Sequence, residues 1–332
     1  MKRKTDKITA IVPCYNEQEV LEYFYEEFHA VMEKMTDTEF ELLFINDGSS
    51  DRTQEKIEEL ANRDSCIRYI SFSRNFGKEA AIYAGLEHAT GDYVAVMDAD
   101  LQDPPSLLPE MYDAIINEGY DSVATRRVTR KGEPRIRSFF ARRFYAIMDK
   151  ISQTDMVDGA RDYRLMNRKF VDALLRLKEY NRFSKGLYGW VGFRTKWLEY
   201  ENVERAAGET KWSFWGLFRY SIEGIVAFST APLVLASLVG LIFCLIAFVF
   251  LVFIIVRRLV FGDPVDGWAS IVSIILFLGG LQLLCIGILG QYLAKMYLEA
   301  KNRPVYLVGK TNIDQPEQTE NKEQTETAKN RS

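Results

Sequence analysis

The chain has few cysteines, and their positions give them no recognisable structural role. The four cysteines among 332 residues are Cys14, Cys66, Cys244 and Cys285. They show neither the paired spacing of a metal site nor the framework of a small disulfide-bonded domain. Two of them lie in apolar segments. Scattered cysteines of this kind are typical of proteins that work in a reducing compartment.

Two further absences narrow the function. The formal net charge is only −4, which excludes binding to nucleic acid through the bulk charge of the chain. The basic residues 1–4 precede a strand-like segment, and no apolar signal-peptide core follows them. We therefore expect the N-terminal domain to lie in the cytoplasm and any basic function to be local.

The first half of the chain alternates strand-like and helix-like segments. Apolar residues recur with helical spacing in 20–35, 78–88 and 106–117, and a further helix is expected to begin near Asp51. Strand-like runs lie between them, at 8–12, 40–45, 67–72, 93–97 and 121–125. This alternation predicts an α/β domain whose mostly parallel sheet is covered on both faces. The carboxyl ends of its strands would meet at one edge, where such folds bind ligands.

The strongest chemical signal follows the fourth strand-like run. Asp98 and Asp100 lie one residue apart, directly after the apolar segment 93–97. Carboxylates at a strand end can bridge a hard divalent cation to a phosphate. An Asp-x-Asp sequence alone is more often a solvated turn. Asp47 also ends an apolar strand, however, whereas Asp51 is explained as a helix cap. We therefore expect a metal–diphosphate site at this edge.

Two long uncharged segments follow the α/β domain. Residues 232–256 and 268–293 contain no Asp, Glu, Lys or Arg. Each is long enough to cross a hydrocarbon core of roughly 30 Å, so the sequence predicts a transmembrane hairpin. Lys and Arg on the outer flanks favour cytoplasmic chain ends, although Arg257 and Arg258 in the expected loop weaken that bias. Aromatic residues before the first span predict an interfacial helix.

These features divide the chain into five expected parts. A cytoplasmic catalytic domain covers 1–210, and an interfacial amphipathic segment covers 211–230. Two transmembrane helices cover 231–257 and 267–294. The cytoplasmic tail, 295–332, has almost no apolar residue after about Thr311 and is expected to be largely disordered.

A basic stretch lies at the end of the fifth strand-like run. Residues 126–143 contain eight Lys or Arg residues and one acid, Glu133. One interpretation is a surface that binds anionic membrane lipids. The other is a set of guanidinium groups that hold the phosphate of a lipid acceptor. The two are compatible, because a lipid phosphate would come from that membrane.

Several of these segments together resemble the inverting glycosyltransferase family 2. The segments are 11–17 (Ile-Val-Pro-Cys-Tyr-Asn-Glu), 46–51 (Asn-Asp-Gly-Ser-Ser-Asp) and 98–102 (Asp-Ala-Asp-Leu-Gln). Within that family the chain is similar to the polyprenyl-phosphate glycosyltransferases, which include bactoprenol glucosyltransferases and, more distantly, dolichol-phosphate mannose synthase. Three further segments carry this likeness: 73–79, 185–187 and 208–212. The resemblance covers nearly everything except the tail.

The resemblance implies a GT-A catalytic domain, a UDP-sugar donor, Mg²⁺ or Mn²⁺, and undecaprenyl phosphate as the acceptor. It implies that four residues embrace the nucleoside, with the last of them near the base: Pro13, Tyr15, Glu17 and Asp47. Lys78 would also bind the nucleotide sugar. Asp98 would lie by the ribose or the metal. Asp100, which is also a candidate catalytic residue, and Gln102 would be metal ligands.

On the acceptor side, the resemblance implies that Arg126 and Arg137 hold the phosphate. Lys211 would close over the phosphates at the same site. Asp158 matches a position proposed as catalytic in relatives. An acceptor phosphate is largely a dianion near neutral pH and needs little deprotonation. Orientation of the acceptor or of the arginines is therefore as good an interpretation of Asp158 as a general base.

The expected reaction is the inverting transfer of one sugar to undecaprenyl phosphate, for modification of cell-envelope glycans. Glucose from UDP-glucose is the first choice, and UDP-N-acetylglucosamine is the alternative donor. The chain lacks the Gln-x-x-Arg-Trp sequence of processive polysaccharide synthases, which favours transfer of a single sugar. A non-catalytic membrane scaffold that keeps a nucleotide-sugar pocket is the alternative of a different class.

The expected location is the cytoplasmic membrane, with several crossings and with the catalytic domain and both termini in the cytoplasm. Membrane lipids are expected partners and nucleic acid is not. A homo-oligomer, a downstream flippase and a glycan transferase are compatible with this location.

Overall fold

A computed structural model describes residues 5–127, 157, 159–200, 231–261 and 268–313. The chain forms two compact units. One contains the α/β domain together with the segment that follows the second long helix, and the other contains the two long helices. The predicted interfacial segment, 211–230, lies outside the described residues.

Strands and helices alternate through the α/β domain as the sequence predicts. The first five strands are β1 (Asp6–Cys14), β2 (Thr38–Asn46), β3 (Ile67–Phe72), β4 (Tyr93–Val96) and β5 (Ser122–Arg127). The helices between them are α1 (Leu21–Met32), α2 (Thr53–Arg63), α3 (Lys78–His88) and α4 (Leu108–Glu118). The remaining elements of this domain up to residue 200 are β6 (Ala160–Asn167), α5 (Arg168–Leu175), α6 (Ser184–Trp190) and β7 (Thr195–Tyr200).

The strands form one eight-stranded sheet in the order β7-β5-β6-β4-β1-β2-β3-β8, where β8 is Val308–Thr311. Four of its seven pairs are parallel: β1 with β2, β1 with β4, β2 with β3, and β5 with β7. The predicted mostly parallel sheet is therefore confirmed. β6 runs antiparallel to both of its neighbours, so β5 and β7 point the same way as β1–β4. One edge thus gathers the carboxyl ends of β1–β5 and β7 and the amino end of β6.

β1 shows how the sheet is covered on both faces. Ile8 and Val12 are fully buried and belong to the same apolar cluster as Phe24 of α1. Side chains alternate along a strand, so Ile11 faces the other side. There α3 approaches so closely that a Cβ on Gly85 would lie 2.2 Å from Cγ2 of Ile11. The sheet therefore has an apolar core on each side. The polar residues at the ends of its strands lie where folds of this kind bind ligands.

The two long helices are α7 (Ala231–Phe261) and α8 (Trp268–Ala300). Each contains a window that is long and apolar enough to cross a membrane, Pro232–Phe250 in α7 and Phe277–Ala300 in α8. Arg257 and Arg258, which the sequence placed in the loop, lie within α7. Both helices could therefore span a membrane, which is consistent with the expected hairpin.

The region expected to be a largely disordered tail contains two ordered parts among its described residues. Residues 295–300 continue α8, and 308–311 form β8, which pairs antiparallel with β3. The side chain of Asn312 accepts a hydrogen bond from Tyr69 N (2.8 Å) and donates one to Ile67 O (3.1 Å). β8 therefore covers the edge of β3, which would otherwise expose unpaired backbone groups.

Tyr306 anchors the approach to β8. Its ring stacks on Phe72 with 4.9 Å between the centroids, and its hydroxyl donates a hydrogen bond to Glu87 (2.6 Å). Lys310 adds an exposed ion pair with Glu58. The segment after the second long helix is thus an integral part of the α/β domain.

We expect removal of this segment to destabilise the α/β domain. A chain truncated after Arg303 loses the β8 ladder and the Tyr306 anchor, which corresponds to about 3 to 5 kcal/mol at about 1 kcal/mol for each net interaction. The measurement is the thermal unfolding midpoint of the purified protein in detergent. A chain truncated after Ile313 is the control and should unfold like the full-length protein. Equal midpoints for both truncations would contradict the assignment.

Candidate active site

The loops after β1 and β2 are joined by hydrogen bonds at the carboxyl edge of the sheet. The backbone N–H of Asn16 donates to Ser49 Oγ (3.0 Å), and the Asn16 side chain accepts from Ser50 N (2.9 Å). Glu17 N donates to Thr53 Oγ1 (2.8 Å). Asn16 has a left-handed backbone (φ 55°), which asparagine tolerates better than most residues. Pro13, Tyr15 and Glu17 are thereby held beside the end of β2, and their shared contact with a nucleoside stays a prediction.

Asp47 ties the end of β2 to the loop that precedes α3. Its carboxylate is buried and accepts hydrogen bonds from Phe76 N (2.6 Å) and Gly77 N (2.9 Å). Burial raises the pKa of this carboxyl, and the two backbone N–H groups oppose that rise. The structure thus gives Asp47 a role in shaping the loop 73–77. Its contact with a nucleotide base stays a prediction.

Gly48 allows the β2 and β3 loops to touch. Its φ is +63°, and a Cβ at this position would lie 2.3 Å from the backbone carbonyl carbon of Arg74. A side chain would therefore be strained by the left-handed backbone and would also push the loop of Asn75 and Phe76 away. The sequence showed the glycine but not this close approach.

Lys78, the first residue of α3, lies between two carboxylates. Its Nζ is 2.6 Å from Asp98 Oδ1 and 2.5 Å from Asp162 Oδ2. Lys185, on α6, lies 3.8 Å from the other oxygen of Asp162 and donates to the carbonyl of Ala160 (3.2 Å). The structure therefore brings the predicted residues Lys78 and Asp98 together, and it adds Asp162 and Lys185 to them.

These charges hold one another in the ionised form. Burial disfavours an ionised Asp162, but Lys78 and Lys185 hold the pKa of its carboxyl well below the ordinary value. Burial likewise disfavours a charged Lys78, but Asp162 and Asp98 hold its pKa well above the ordinary value. The cluster consequently remains charged at neutral pH, and it can attract or repel an ionic ligand.

The loop after β4 is braced from β6. Asp100 accepts a hydrogen bond from Gln102 N (3.1 Å), and Arg161 donates to the side-chain oxygen of Gln102 (3.1 Å). The buried Asp103 accepts from Arg161 Nε (3.1 Å) and from the hydroxyl of Tyr200 on β7. Arg161 therefore fixes the loop that carries the two predicted metal ligands Asp100 and Gln102.

The oxygen donors of this loop fit a divalent cation that is shared with a phosphate ligand. Among the described residues, no group of three or more His, Cys, Asp or Glu side chains forms a complete metal site. Mg²⁺ usually takes one or two carboxylates and completes its shell with water and substrate phosphates. Asp98 and Asp100 can supply those carboxylates. The Gln102 oxygen keeps a second lone pair besides its bond to Arg161.

On the acceptor side the structure describes one of the four predicted residues. Arg126 is the penultimate residue of β5, at this same edge, and stands opposite Glu199 of β7. Its guanidinium Nε donates to Glu199 Oε1 (3.0 Å), and its side chain is 40% exposed. Arg137, Asp158 and Lys211 lie outside the described residues. Sequence reasoning did not identify Glu199, because a single acid in a strand carries no signal of its cross-strand partner.

Comparison with known proteins identifies close relatives. The model of the family described as glycosyl transferase family 2 matches residues 9–175. Putative glycosyltransferase CsbB of Bacillus subtilis is 45% identical over 320 residues, which are 96% of either chain. The SfII prophage-derived bactoprenol glucosyl transferase of Shigella flexneri is 41% identical over 310 residues, which are 93% of this chain and 100% of that one.

Among solved structures, mannosyltransferase PcManGT from Pyrobaculum calidifontis, in complex with GDP-Man and Mn²⁺, is similar with a TM-score of 0.45 and 18% identity. The match covers 68% of this chain and 62% of that chain. A likeness this distant assigns neither a donor nor a metal.

We expect Gly48→Ala to weaken nucleotide binding by displacing the loop 73–77. Gly192→Ala is the matched control, because Gly192 also has a positive φ (+70°) but open space at its Cβ. The φ strain of about 1 kcal/mol is common to both variants, whereas the clash exists only at Gly48. Calorimetric titration with UDP measures the difference. Equal UDP affinity in the two variants would show that the close approach has no role in the site.

Proposed function

The chain belongs to glycosyltransferase family 2, and from this premise we propose that it transfers one glucose from UDP-glucose to undecaprenyl phosphate. The observation that carries the proposal is the one sheet edge that carries Lys78, Asp98, Asp100 and Arg126, in a chain that also has two helices of membrane-spanning length. Relatives named bactoprenol glucosyl transferase support the sugar and the acceptor.

The donor lies across the loops after β1, β2 and β4 in this proposal. Tyr15 is 41% exposed and offers a ring and a hydroxyl to the nucleoside, with Glu17 on the same loop and Asp47 on the loop after β2. The diphosphate lies at Asp98, Asp100 and Lys78. When bound there with the help of Gln102, Mg²⁺ or Mn²⁺ supplies electrostatic stabilisation of the departing UDP.

The acceptor phosphate approaches from the side of β5 and β7. Arg126 exchanges its partner Glu199 for the phosphate, whose oxygens a guanidinium can bind with two N–H groups. Arg137 and Lys211 complete this site, and Asp158 orients the acceptor or the arginines. The phosphate oxygen attacks the anomeric carbon opposite the leaving UDP. Inversion of an α-linked donor then gives a β-linked sugar phospholipid.

The path of the chain supports a position of the catalytic domain on the same side of the membrane as the segment 304–313. That segment pairs with β3 of the domain although α7 and α8 lie between them in sequence. The chain must therefore cross the membrane an even number of times between β3 and the segment 304–313, and two spans satisfy this requirement. The bias of Lys and Arg toward the outer flanks of the two helices supports a cytoplasmic position of this side.

We expect Asp98→Ala and Asp100→Ala each to reduce transfer of glucose by at least about 100-fold, because loss of a group that stabilises transition-state charge costs roughly 3 kcal/mol or more. The assay uses radiolabelled UDP-glucose and undecaprenyl phosphate, followed by lipid extraction. Asp113→Ala is the control. Asp113 is an exposed residue of α4, and among the described residues its side chain accepts a hydrogen bond only from Asn117. Near-normal turnover of Asp100→Ala at saturating Mg²⁺ would refute the assignment.

Parallel reactions with UDP-N-acetylglucosamine test the alternative donor. A wild-type protein that is inert with every UDP-sugar would favour the non-catalytic scaffold.

We expect Arg126→Ala to raise the KM for undecaprenyl phosphate by about 10-fold or more, since a charge-assisted bond to phosphate is worth roughly 1.5 to 3 kcal/mol. The affinity for UDP should change little. Arg63→Ala, which removes an exposed ion pair with Glu22 on the α1–α2 side of the domain, is the control. Loss of UDP binding with an unchanged acceptor KM would contradict the role of Arg126.

A further inference from the structure

Asp162 has no assigned role, yet it contacts two lysines at the edge where the donor is proposed to bind. We propose that Asp162 is a positioning residue that holds Lys78 and Lys185 as a paired cationic site for the diphosphate of the nucleotide donor. This inference rests on the proposed function and names the residues that would make donor binding possible at an acidic edge.

The register of the sheet explains why Asp162 stands where it does. β4 and β6 pair antiparallel with Ala95 opposite Leu165 and Val96 opposite Arg164. The same register, continued by two residues, places Asp98 opposite Asp162. Like charges directly opposite each other on neighbouring strands are destabilising. Lys78 reaches into this position and bridges the two carboxylates at 2.6 Å and 2.5 Å.

The lysines remain accessible although Asp162 holds them. The side chain of Lys78 is 42% exposed and that of Lys185 is 27% exposed, whereas Asp162 is only 18% exposed. An ammonium group has three N–H donors. Among the described residues the acceptors of Lys78 are Asp98 and Asp162, which leaves a third N–H for an incoming oxygen. Asp162 is therefore the least exposed of the three side chains, and Lys78 is the one most accessible to a ligand.

Charge balance makes the two lysines necessary for an anionic ligand. Asp98, Asp100 and Asp162 would repel a nucleoside diphosphate, which carries several negative charges itself. The nearby guanidinium of Arg161 is already paired with the buried Asp103. Among the described residues, Lys78 and Lys185 contact these acids, and they would offset the acids together with the divalent cation. Without Asp162, both ammonium groups would lose the carboxylate that they share and that holds them beside each other.

If Asp162 only held α3, β6 and α6 together as a structural brace, it would make the same contacts. The test therefore compares a ligand that carries a diphosphate with one that does not. The variant is Asp162→Asn in the full-length protein, titrated calorimetrically with UDP and, by competition, with uridine in buffer that contains Mg²⁺. We expect about 10- to 100-fold weaker binding of UDP and unchanged binding of uridine. A brace alone would weaken both ligands to the same extent.

Asp121→Asn is the matched control. Asp121 is 19% exposed, accepts a hydrogen bond from Asn167 and lies 3.9 Å from Lys169, but it precedes β5 at the opposite edge of the sheet. We expect this variant to bind UDP and uridine like the wild type. If Asp162→Asn fails to fold, Lys185→Gln replaces it, since Lys185 is the more distant partner; the same selective loss of UDP binding is expected.

The outcomes separate this inference from the function on which it rests. Wild-type affinity for UDP in Asp162→Asn or in Lys185→Gln overturns the lysine site and leaves the proposed donor intact. Equal weakening of UDP and uridine also overturns it, in favour of a brace. A wild-type protein that binds no UDP would instead overturn the proposed donor itself.

Discussion

Neutralisation of acids at one edge of the sheet is the constraint on which the rest of this site depends. Asp98 after β4, Asp162 on β6 and Glu199 on β7 lie at that edge, and each is paired with a cation from another element. The pairing lets the acids stay charged without repelling one another. In the proposed function, the donor diphosphate binds the third N–H of Lys78, and the acceptor phosphate replaces Glu199 as the partner of Arg126. The same ion pairs would then both stabilise the fold and select an anionic ligand.

Much of the fold is readable from the sequence because it depends on local patterns. The predicted strand at 67–72 and helix at 78–88 coincide with β3 and α3. Strand-end acids were predicted for the same reason: an apolar run that stops at Asp98 is a local signal. The two helices of membrane-spanning length could also be predicted from a local pattern, since an uncharged apolar run of this length is typical of a membrane span.

The residues that were missed depend on long-range pairing. Asp162 is the third residue of β6, and its position at the proposed ligand edge follows only from the antiparallel direction of that strand. β8 is four residues long, carries no apolar periodicity, and acquires its structure by pairing with β3 more than two hundred residues earlier. Its side-chain anchors, Tyr306 and Asn312, are likewise bound to residues of β3 and α3. No local pattern encodes such partners.

The carboxyl edge of the sheet is the proposed binding site for the diphosphate of the donor, and the proposed function depends on it. The most direct test is an experimental structure of the full-length protein with UDP-glucose and Mn²⁺, in which the anomalous signal of Mn²⁺ locates the ion. We predict that the ion lies beside Asp100 and that the diphosphate lies within hydrogen-bonding distance of Lys78. A nucleotide bound at the opposite edge, near Asp121, or an ion remote from Asp98 and Asp100 would contradict this placement.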